Sequence, residues 1–247
     1  MTNHARENAF QSFLVLLTIF VVSCFAERAY SQNPELQQKI ADIKEASAKN
    51  KQALAQYSWQ ETVTISLKGE QKKQEHFQVR LGPDGKPQKT SLDQPEAAAQ
   101  DQGGGRRSGR LKEHVVEKKK EEYKDYADQI KALIEQYVPP EKDRIEQAHQ
   151  QGGIMMGPQA GSPGEYRLVI SNYIKKGDSM TLVVDKTQKA LLSVSIASYL
   201  DDPSDAVNVT VLFSGIPDGP NHVSRQTING VSKQLTIDIQ NSNYQHL

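Results

Sequence analysis

The chain has 247 residues, and its 30 basic and 30 acidic residues give a formal net charge of zero. This balance does not indicate a polyanionic partner such as nucleic acid. Cys24 is the only cysteine, so disulfides, thiolate nucleophiles and cysteine-ligated zinc are excluded from a mature chain that begins after the predicted leader.

The N-terminus has the layout of a secretory signal. A continuous apolar run at residues 13–22 follows the basic residue Arg6, which is typical of a basic end before a short hydrophobic core. The run is shorter than the roughly 20 apolar residues that a membrane-spanning helix needs. We therefore predict a signal peptide over residues 1–31, cleaved before Gln32, with cleavage after Ala26 as the alternative.

Cys24 adds a second interpretation of the leader. Residues 21–24 loosely resemble a bacterial lipobox, in which the cysteine is lipidated and anchors the mature chain to a membrane. The competing alanine-containing site downstream favours the plain signal peptide. That interpretation predicts a periplasmic or secreted protein, and a lipid-anchored protein is the alternative.

The first predicted helix covers residues 34–55, where apolar residues recur near the helical period after an Asn-Pro start. Its mixed polar face favours a helix that lies on a sheet over a membrane-surface helix. Alternating apolar and polar residues then predict strands at residues 57–67 and 75–81. We expect Trp59, the only tryptophan, to fill the core rather than to stack on a ligand.

Residues 88–110 lose the hydrophobic pattern and predict a mobile loop within a single domain that covers residues 32–247. Three arginines beside glycines in this loop could clamp an anion such as a phosphate. Their spacing matches no phosphate-cradling motif, which favours a solvated basic linker.

Two further helices are predicted at residues 112–138 and 141–150, separated by a Pro-Pro pair. Glu146 and His149 have the spacing of one half of a carboxylate-bridged metal site. The second half of such a site is missing from the sequence. We therefore predict no metal and no other cofactor.

Met155 and Met156 form an apolar patch among glycines and prolines. Methionine adapts to irregular apolar surfaces. The pair is predicted either as a flexible flap over a hydrophobic opening or as a plug that tucks into the core.

Residues 165–241 carry the clearest pattern in the chain. Five or six short runs alternate apolar and polar residues between turn residues, which predicts an antiparallel meander. Asn229-Gly230 predicts a type I′ hairpin, because both residues tolerate positive φ, and the last strand is expected to begin at Val231. Each strand has one apolar face, so one side of the sheet needs a cover of helices.

The sequence carries no recognisable catalytic motif. It has no Gly-x-Ser-x-Gly elbow, no His-Glu-x-x-His and no phosphate-binding loop. We predict that the protein is not an enzyme.

The order of these elements resembles the lipoprotein-carrier (LolA/LolB-like) superfamily of bacterial envelope proteins. The shared order is a leader, a helix, a strand pair that contains Tyr57-Ser58-Trp59, a long helix and a closing meander. The resemblance implies an α+β fold in which a curved antiparallel β-sheet, a half-barrel, is covered by two or three helices. The long charged helix and the Gly/Arg loop depart from the carriers.

The resemblance also implies that a lipid, an acyl chain or another apolar ligand binds in the cavity of the half-barrel, as in a lipoprotein carrier. The candidate lining on the inner sheet face is Trp59, Val63, Leu192, Val194, Val209, Val211, Leu235 and Ile237. Each of these is equally expected as plain core, because sequence does not show whether a cavity is filled. The alternative function is an envelope structural or interaction module that binds a protein partner and no small ligand.

Overall fold

The computed structural model describes residues 34–93, 108–138, 140–217 and 219–247. The predicted signal peptide, Cys24 and most of the predicted loop at 88–110 lie outside these ranges. The described chain contains the helices α1 (Pro34–Leu54), α2 (Ser108–Glu135) and α3 (Lys142–Gln150). None of these helices combines the length and the apolar character needed to cross a membrane.

The strands of the described chain form one antiparallel sheet. They are β1 (Tyr57–Leu67), β2 (Glu70–Leu81), β3 (Pro87–Ser91), β4 (Ile154–Gln159), β5 (Ser162–Ser171), β6 (Ser179–Asp185), β7 (Leu191–Tyr199), β8 (Ala206–Gly215), β9 (Asn221–Gly230) and β10 (Leu235–His246). Their order across the sheet is β3-β2-β1-β10-β9-β8-β7-β6-β5-β4. The predicted meander is confirmed from β5 to β10, and β1 to β3 are added beside β10.

The predicted half-barrel is wrong. The described chain is mostly strand, in one large ten-stranded antiparallel sheet with only three helices, in place of the predicted α+β half-barrel under a helical cover. The sheet is not closed into a barrel, since its two end strands, β3 and β4, do not pair with each other. Neither end strand was predicted, because each is short and contains a proline, Pro87 at the start of β3 and Pro158 within β4. Proline donates no ladder hydrogen bond and is found on edge strands, so both segments suit the open ends of a sheet.

Strands β1 and β10 join parts of the chain that are far apart in sequence. Tyr57 lies opposite His246, and the register continues through the pairs Val63 with Ile239 and Ile65 with Ile237. This register places the apolar residues of both strands on the same face of the sheet. The N-terminal strands therefore share one core with the C-terminal meander.

The core lies on one face of the sheet, as the alternation predicted. Along β8, Val207, Val209 and Val211 are buried and the residues between them are exposed. Helix α2 supplies Ile130 and Ile134 to the same cluster of buried side chains. Burial of apolar side chains from sheet and helix is the main stabilising term of such a two-layer arrangement.

Helix α2 packs tightly against the sheet at Gly230. A Cβ at this position would lie 2.6 Å from Tyr126 Cε1 and 2.7 Å from Ile130 Cδ1. The predicted hairpin at Asn229-Gly230 is wrong, because both residues belong to β9 and the turn follows at residues 231–234. The glycine is needed here for the space it leaves and not for a positive φ.

A buried carboxylate organises the loop between β5 and β6. Asp178, which is 2% exposed, accepts hydrogen bonds from the backbone N–H groups of Tyr173 at 2.6 Å and of Ile174 and Lys175 at 2.9 Å. The Tyr137 hydroxyl at the end of α2 donates a fourth bond at 2.5 Å. Burial next to this carboxylate raises the pKa of Tyr137, so its hydroxyl keeps its proton. The loop and the helix end are thus fixed to one side chain.

Candidate ligand-binding pocket

A pocket of about 270 Å³ lies between α1 and the sheet. Its lining is mainly apolar and aromatic, and it comes from α1, from strands β1, β2, β7, β8, β9 and β10 and from two loops. The lining includes Lys51, Leu54, Trp59, His222, Asn241 and Tyr244. The pocket is therefore assembled from segments at both ends of the described sequence.

Helix α1 is held over the pocket by one side chain. The Asn50 amide donates from Nδ2 to the backbone oxygen of Asn221 and accepts at Oδ1 from the Asn221 N–H, both at 2.5 Å. Asn221 in turn donates from Nδ2 to the Leu191 oxygen at 2.7 Å. This pair of bonds fixes α1 against the start of β9, and Leu54 of the same helix packs on the core.

Three aromatic rings form one wall of the pocket. Trp59 stacks on Tyr244 with ring centroids 5.5 Å apart and planes inclined by 18°. The centroid of the His222 ring lies 3.9 Å from that of Tyr244. Burial raises the pKa of Tyr244, and its hydroxyl donates to the Val223 oxygen at 3.2 Å. The wall is therefore uncharged at neutral pH.

His222 is buried and neutral. Burial lowers the pKa of its imidazole below the usual range, against a smaller opposing effect of the Val223 backbone. Nδ1 lies 3.1 Å from the Val223 oxygen and Nε2 lies 3.3 Å from Ser214 Oγ. This pattern assigns the proton to Nδ1, with Nε2 accepting from the serine hydroxyl.

We expect His222 to make the fold less stable in acid. The unfolded chain binds a proton at this residue near the ordinary histidine pKa of about 6.5, whereas the folded protein resists protonation because the ring is buried. Stability from this group is present above that pH and is lost as the pH falls. The melting temperature should therefore drop less between about pH 7.5 and pH 5 in His222→Gln than in the wild type. Equal drops would contradict the assignment.

Several buried polar atoms near the aromatic wall have no hydrogen-bond partner. Within the described residues, Trp59 Nε1, Glu61 Oε2, Asn241 Oδ1 and both amide atoms of Gln226 are buried and make no hydrogen bond. Glu61 lies directly opposite Asn241 across β1 and β10. Gln226 lies opposite Ile239, two residues before Asn241. Buried polar groups without partners are uncommon in native proteins and typically indicate bound water or a ligand group.

Glu61 is paired on its other oxygen. Lys89 crosses from β3, passes 5.8 Å from the centre of the Phe77 ring and forms a buried ion pair with Glu61 Oε1. Burial raises the pKa of Glu61 and lowers the pKa of Lys89, and the mutual attraction of the pair opposes both shifts. The pair has no net charge whichever residue holds the proton. The pair therefore supplies no net positive charge to the unpaired polar atoms of Trp59, Gln226 and Asn241.

Two lysines, Lys51 and Lys189, lie at the opening of the pocket. Gln188 and Lys189 are the exposed residues of the lining, so they mark the side that faces solvent. Lys51 lines the pocket from α1 and lies against Gly85, where a Cβ would be 2.9 Å from Lys51 Nζ. The described lining contains no acidic residue. An anionic group at this opening would lie near these two lysines, and the described lining contains no other lysine and no arginine.

Of the predicted cavity residues, only Trp59 lines the pocket. Six others are buried in the core away from it: Val63, Val194, Val209, Val211, Leu235 and Ile237. Leu192 is half-buried, because the register shifts between Val183 and Val184 and brings its neighbour Leu191 to the inner face. Leu191 is the residue that lines the pocket.

The methionine pair predicted as a flap or plug does not line the pocket. Met155 and Met156 belong to the end strand β4, and Met155 is 61% exposed. Met156 packs partly against the core. In the described ranges, no three histidine, aspartate or glutamate side chains converge in a way that could hold a metal ion.

Sequence reasoning missed His222, Asn241 and Tyr244. One signal was available for Asn241: it follows Leu235, Ile237 and Ile239 at every second position, in phase with the buried face of β10. A polar residue at a core position needs a partner or a function.

No protein-family model matches the chain. No curated protein matches it either. Among solved structures, the chain is similar to a DUF1329 family protein from Desulfovibrio piger ATCC 29098. The two share 12% sequence identity with a TM-score of 0.38, over 84% of this chain and 92% of that one.

Proposed function

We propose that this protein is an exported envelope protein that binds a small apolar ligand, or the end of an acyl chain, in the pocket beneath α1. The observation that carries the proposal is a partly open pocket with an aromatic wall beside the buried core. The apolar run at residues 13–22 supports export. The element order that resembles lipoprotein carriers supports the same class of ligand.

The size of the pocket limits the ligand. Pockets for drug-sized molecules usually enclose about 300–1,000 Å³, and this pocket of about 270 Å³ lies just below that range. A long acyl chain would be enclosed only in part. Its remaining length, or a headgroup, would lie at the opening near Lys189.

The proposal is tested with N-phenyl-1-naphthylamine, a neutral aromatic probe whose emission rises in apolar surroundings and which accepts energy from tryptophan. Trp59 is the only tryptophan of the chain and lines the pocket, so energy transfer from it reports that the probe is bound, and a variant that fills the pocket shows whether it is bound there. We expect saturable binding with quenching of the Trp59 emission.

Filling the pocket should abolish this signal. Ala46 lines the pocket from α1, and Ala46→Phe places a ring where the ligand would lie. We expect the probe affinity to fall by about tenfold or more, since the apolar area that the ligand buries is lost. Fluorescence titration of the purified mature protein measures the change.

Ala53→Phe is the matched control, because Ala53 is exposed on the same helix and does not line the pocket. It should bind the probe as the wild type does. Equal affinities of all three proteins, or no transfer from Trp59, would contradict the proposal. Native mass spectrometry of gently purified protein then shows whether a cellular ligand stays bound.

The alternative function, an interaction module without a small ligand, is favoured by one observation. The end strand β4 has a strand neighbour on one side only within the described sheet, and its Met155 is 61% exposed. Open sheet edges can pair with a strand of another chain. Loss of a co-purified protein partner in Met155→Glu, without any probe binding in the wild type, would favour this function.

A further inference from the structure

Two side chains that line the pocket each carry a buried polar atom without a hydrogen-bond partner among the described residues, one a donor and the other an acceptor. The donor is Trp59 Nε1 and the acceptor is Asn241 Oδ1, and both residues line the pocket. Trp59 is 2% exposed and Asn241 is 8% exposed. Leaving such buried groups unpaired costs about 1–3 kcal/mol each, so their presence calls for a partner.

The orientation of Asn241 is fixed by the backbone. Its Nδ2 donates to the Val223 oxygen at 3.0 Å, so Oδ1 is the free atom of the amide. The Trp59 ring is fixed by its stack on Tyr244. Neither side chain can satisfy its unpaired atom by rotating without losing these contacts.

We propose that the pocket recognises a neutral ligand group that both donates and accepts a hydrogen bond, a hydroxyl or a carboxamide, on an otherwise apolar molecule. The group accepts from Trp59 Nε1 and donates to Asn241 Oδ1. This inference rests on the proposed function, because it assigns the polar end of the same ligand.

A carboxylate fits this position poorly. It cannot donate a hydrogen bond to Asn241 Oδ1. Glu61 lies directly opposite Asn241, and its ion pair with Lys89 supplies no net positive charge. Burial of an unpaired negative charge is costly. An anionic group is better placed at the opening, near Lys51 and Lys189.

The test compares four ligands of nearly equal size: 1-octanol, octanamide, 1-methoxyheptane and octanoate. Each is titrated against N-phenyl-1-naphthylamine bound to the full mature protein. The ether accepts a hydrogen bond but cannot donate one. We expect 1-octanol and octanamide to displace the probe at concentrations about tenfold lower than the ether and octanoate, a difference of about 1.4 kcal/mol.

Asn241→Leu should remove the preference for the alcohol over the ether, because the acceptor is gone. The variant keeps its fold, since Tyr244 still donates to the Val223 oxygen, and its melting temperature checks this. Trp59→Phe removes the donor together with part of the ring, and it should keep the preference, read from the emission of the probe itself. Gln240→Leu, which changes an exposed amide on the outer face of the same strand, is the matched control.

The outcomes separate the two proposals. No probe binding to the wild type overturns the proposed function and this inference with it. Probe binding with equal displacement by 1-octanol and 1-methoxyheptane overturns only the inference, and means that water serves the two atoms. Preferential displacement by octanoate also overturns it and assigns recognition to the two lysines at the opening.

Discussion

Asp178→Ala should lower the free energy of unfolding by about 3–4 kcal/mol. The carboxylate accepts three backbone N–H bonds and the Tyr137 hydroxyl. The three N–H groups lose this acceptor when it is removed, whereas the Tyr137 hydroxyl keeps its contact with Ser198 Oγ at 2.7 Å. The loss is less than three full desolvation penalties, because water can enter a vacated loop site in part. Chemical denaturation with an unchanged m-value measures the difference.

Two variants separate this effect from the loss of any aspartate. Asp178→Asn keeps the size of the side chain and one acceptor oxygen, so its stability should lie between those of the wild type and Asp178→Ala. Asp202→Ala removes an exposed turn carboxylate that is bonded only to Ser204 and should change stability much less. Similar losses in both alanine variants would show that Asp178 does not organise the loop.

Gly230→Val should lower the free energy of unfolding by about 2–3 kcal/mol. Even the first carbon of the new side chain would lie within 2.7 Å of atoms of Tyr126 and Ile130. Ile130 is fully buried, and the Tyr126 hydroxyl is held by Asp205 at 2.7 Å, so neither side chain can move aside without cost. Helix α2 must then shift away from β9.

Gly215→Val is the matched control for this substitution. Gly215 is an exposed residue of β8, and a Cβ there would meet no atom within 4 Å. Valine suits a strand position, so the stability should change by no more than about 0.5 kcal/mol. If Gly230→Val were equally mild, the close approach of α2 to the sheet would not be tight in solution.

Periodicity predicted the inner face of the central strands because their burial is set by simple alternation, as in β8. It failed where the alternation breaks. The register shift near Val184 places Leu191, and not Leu192, on the inner face. The residues around Leu191 carry no sequence signal of this shift. Asn229-Gly230 indicated a turn by its conformational freedom, whereas the chain uses Gly230 to admit a helix from about 100 positions earlier.

The pocket was less predictable than the sheet. Trp59 was expected in the core and is buried there, yet it also lines the pocket, because one face of a large ring can pack while another stays open. Asn241 and His222 reach the pocket only through the pairing of strands that are distant in sequence. In the sequence, the only signal for these two residues is a polar side chain where the alternation predicts a buried apolar one.

The pairing of β1 with β10 bears on how the sheet assembles. Tyr57 lies opposite His246, so this pairing closes a loop that spans nearly the whole described chain. Closing the loop costs conformational entropy, and this cost comes before the strand contacts can stabilise the sheet. The segment β5 to β9 can zip up from local hairpins, but β1 to β3 have no place in the sheet until β10 is present. Strand β10 is thus the segment that joins the two halves of the sheet, and the sheet is complete only after β10 has been synthesised.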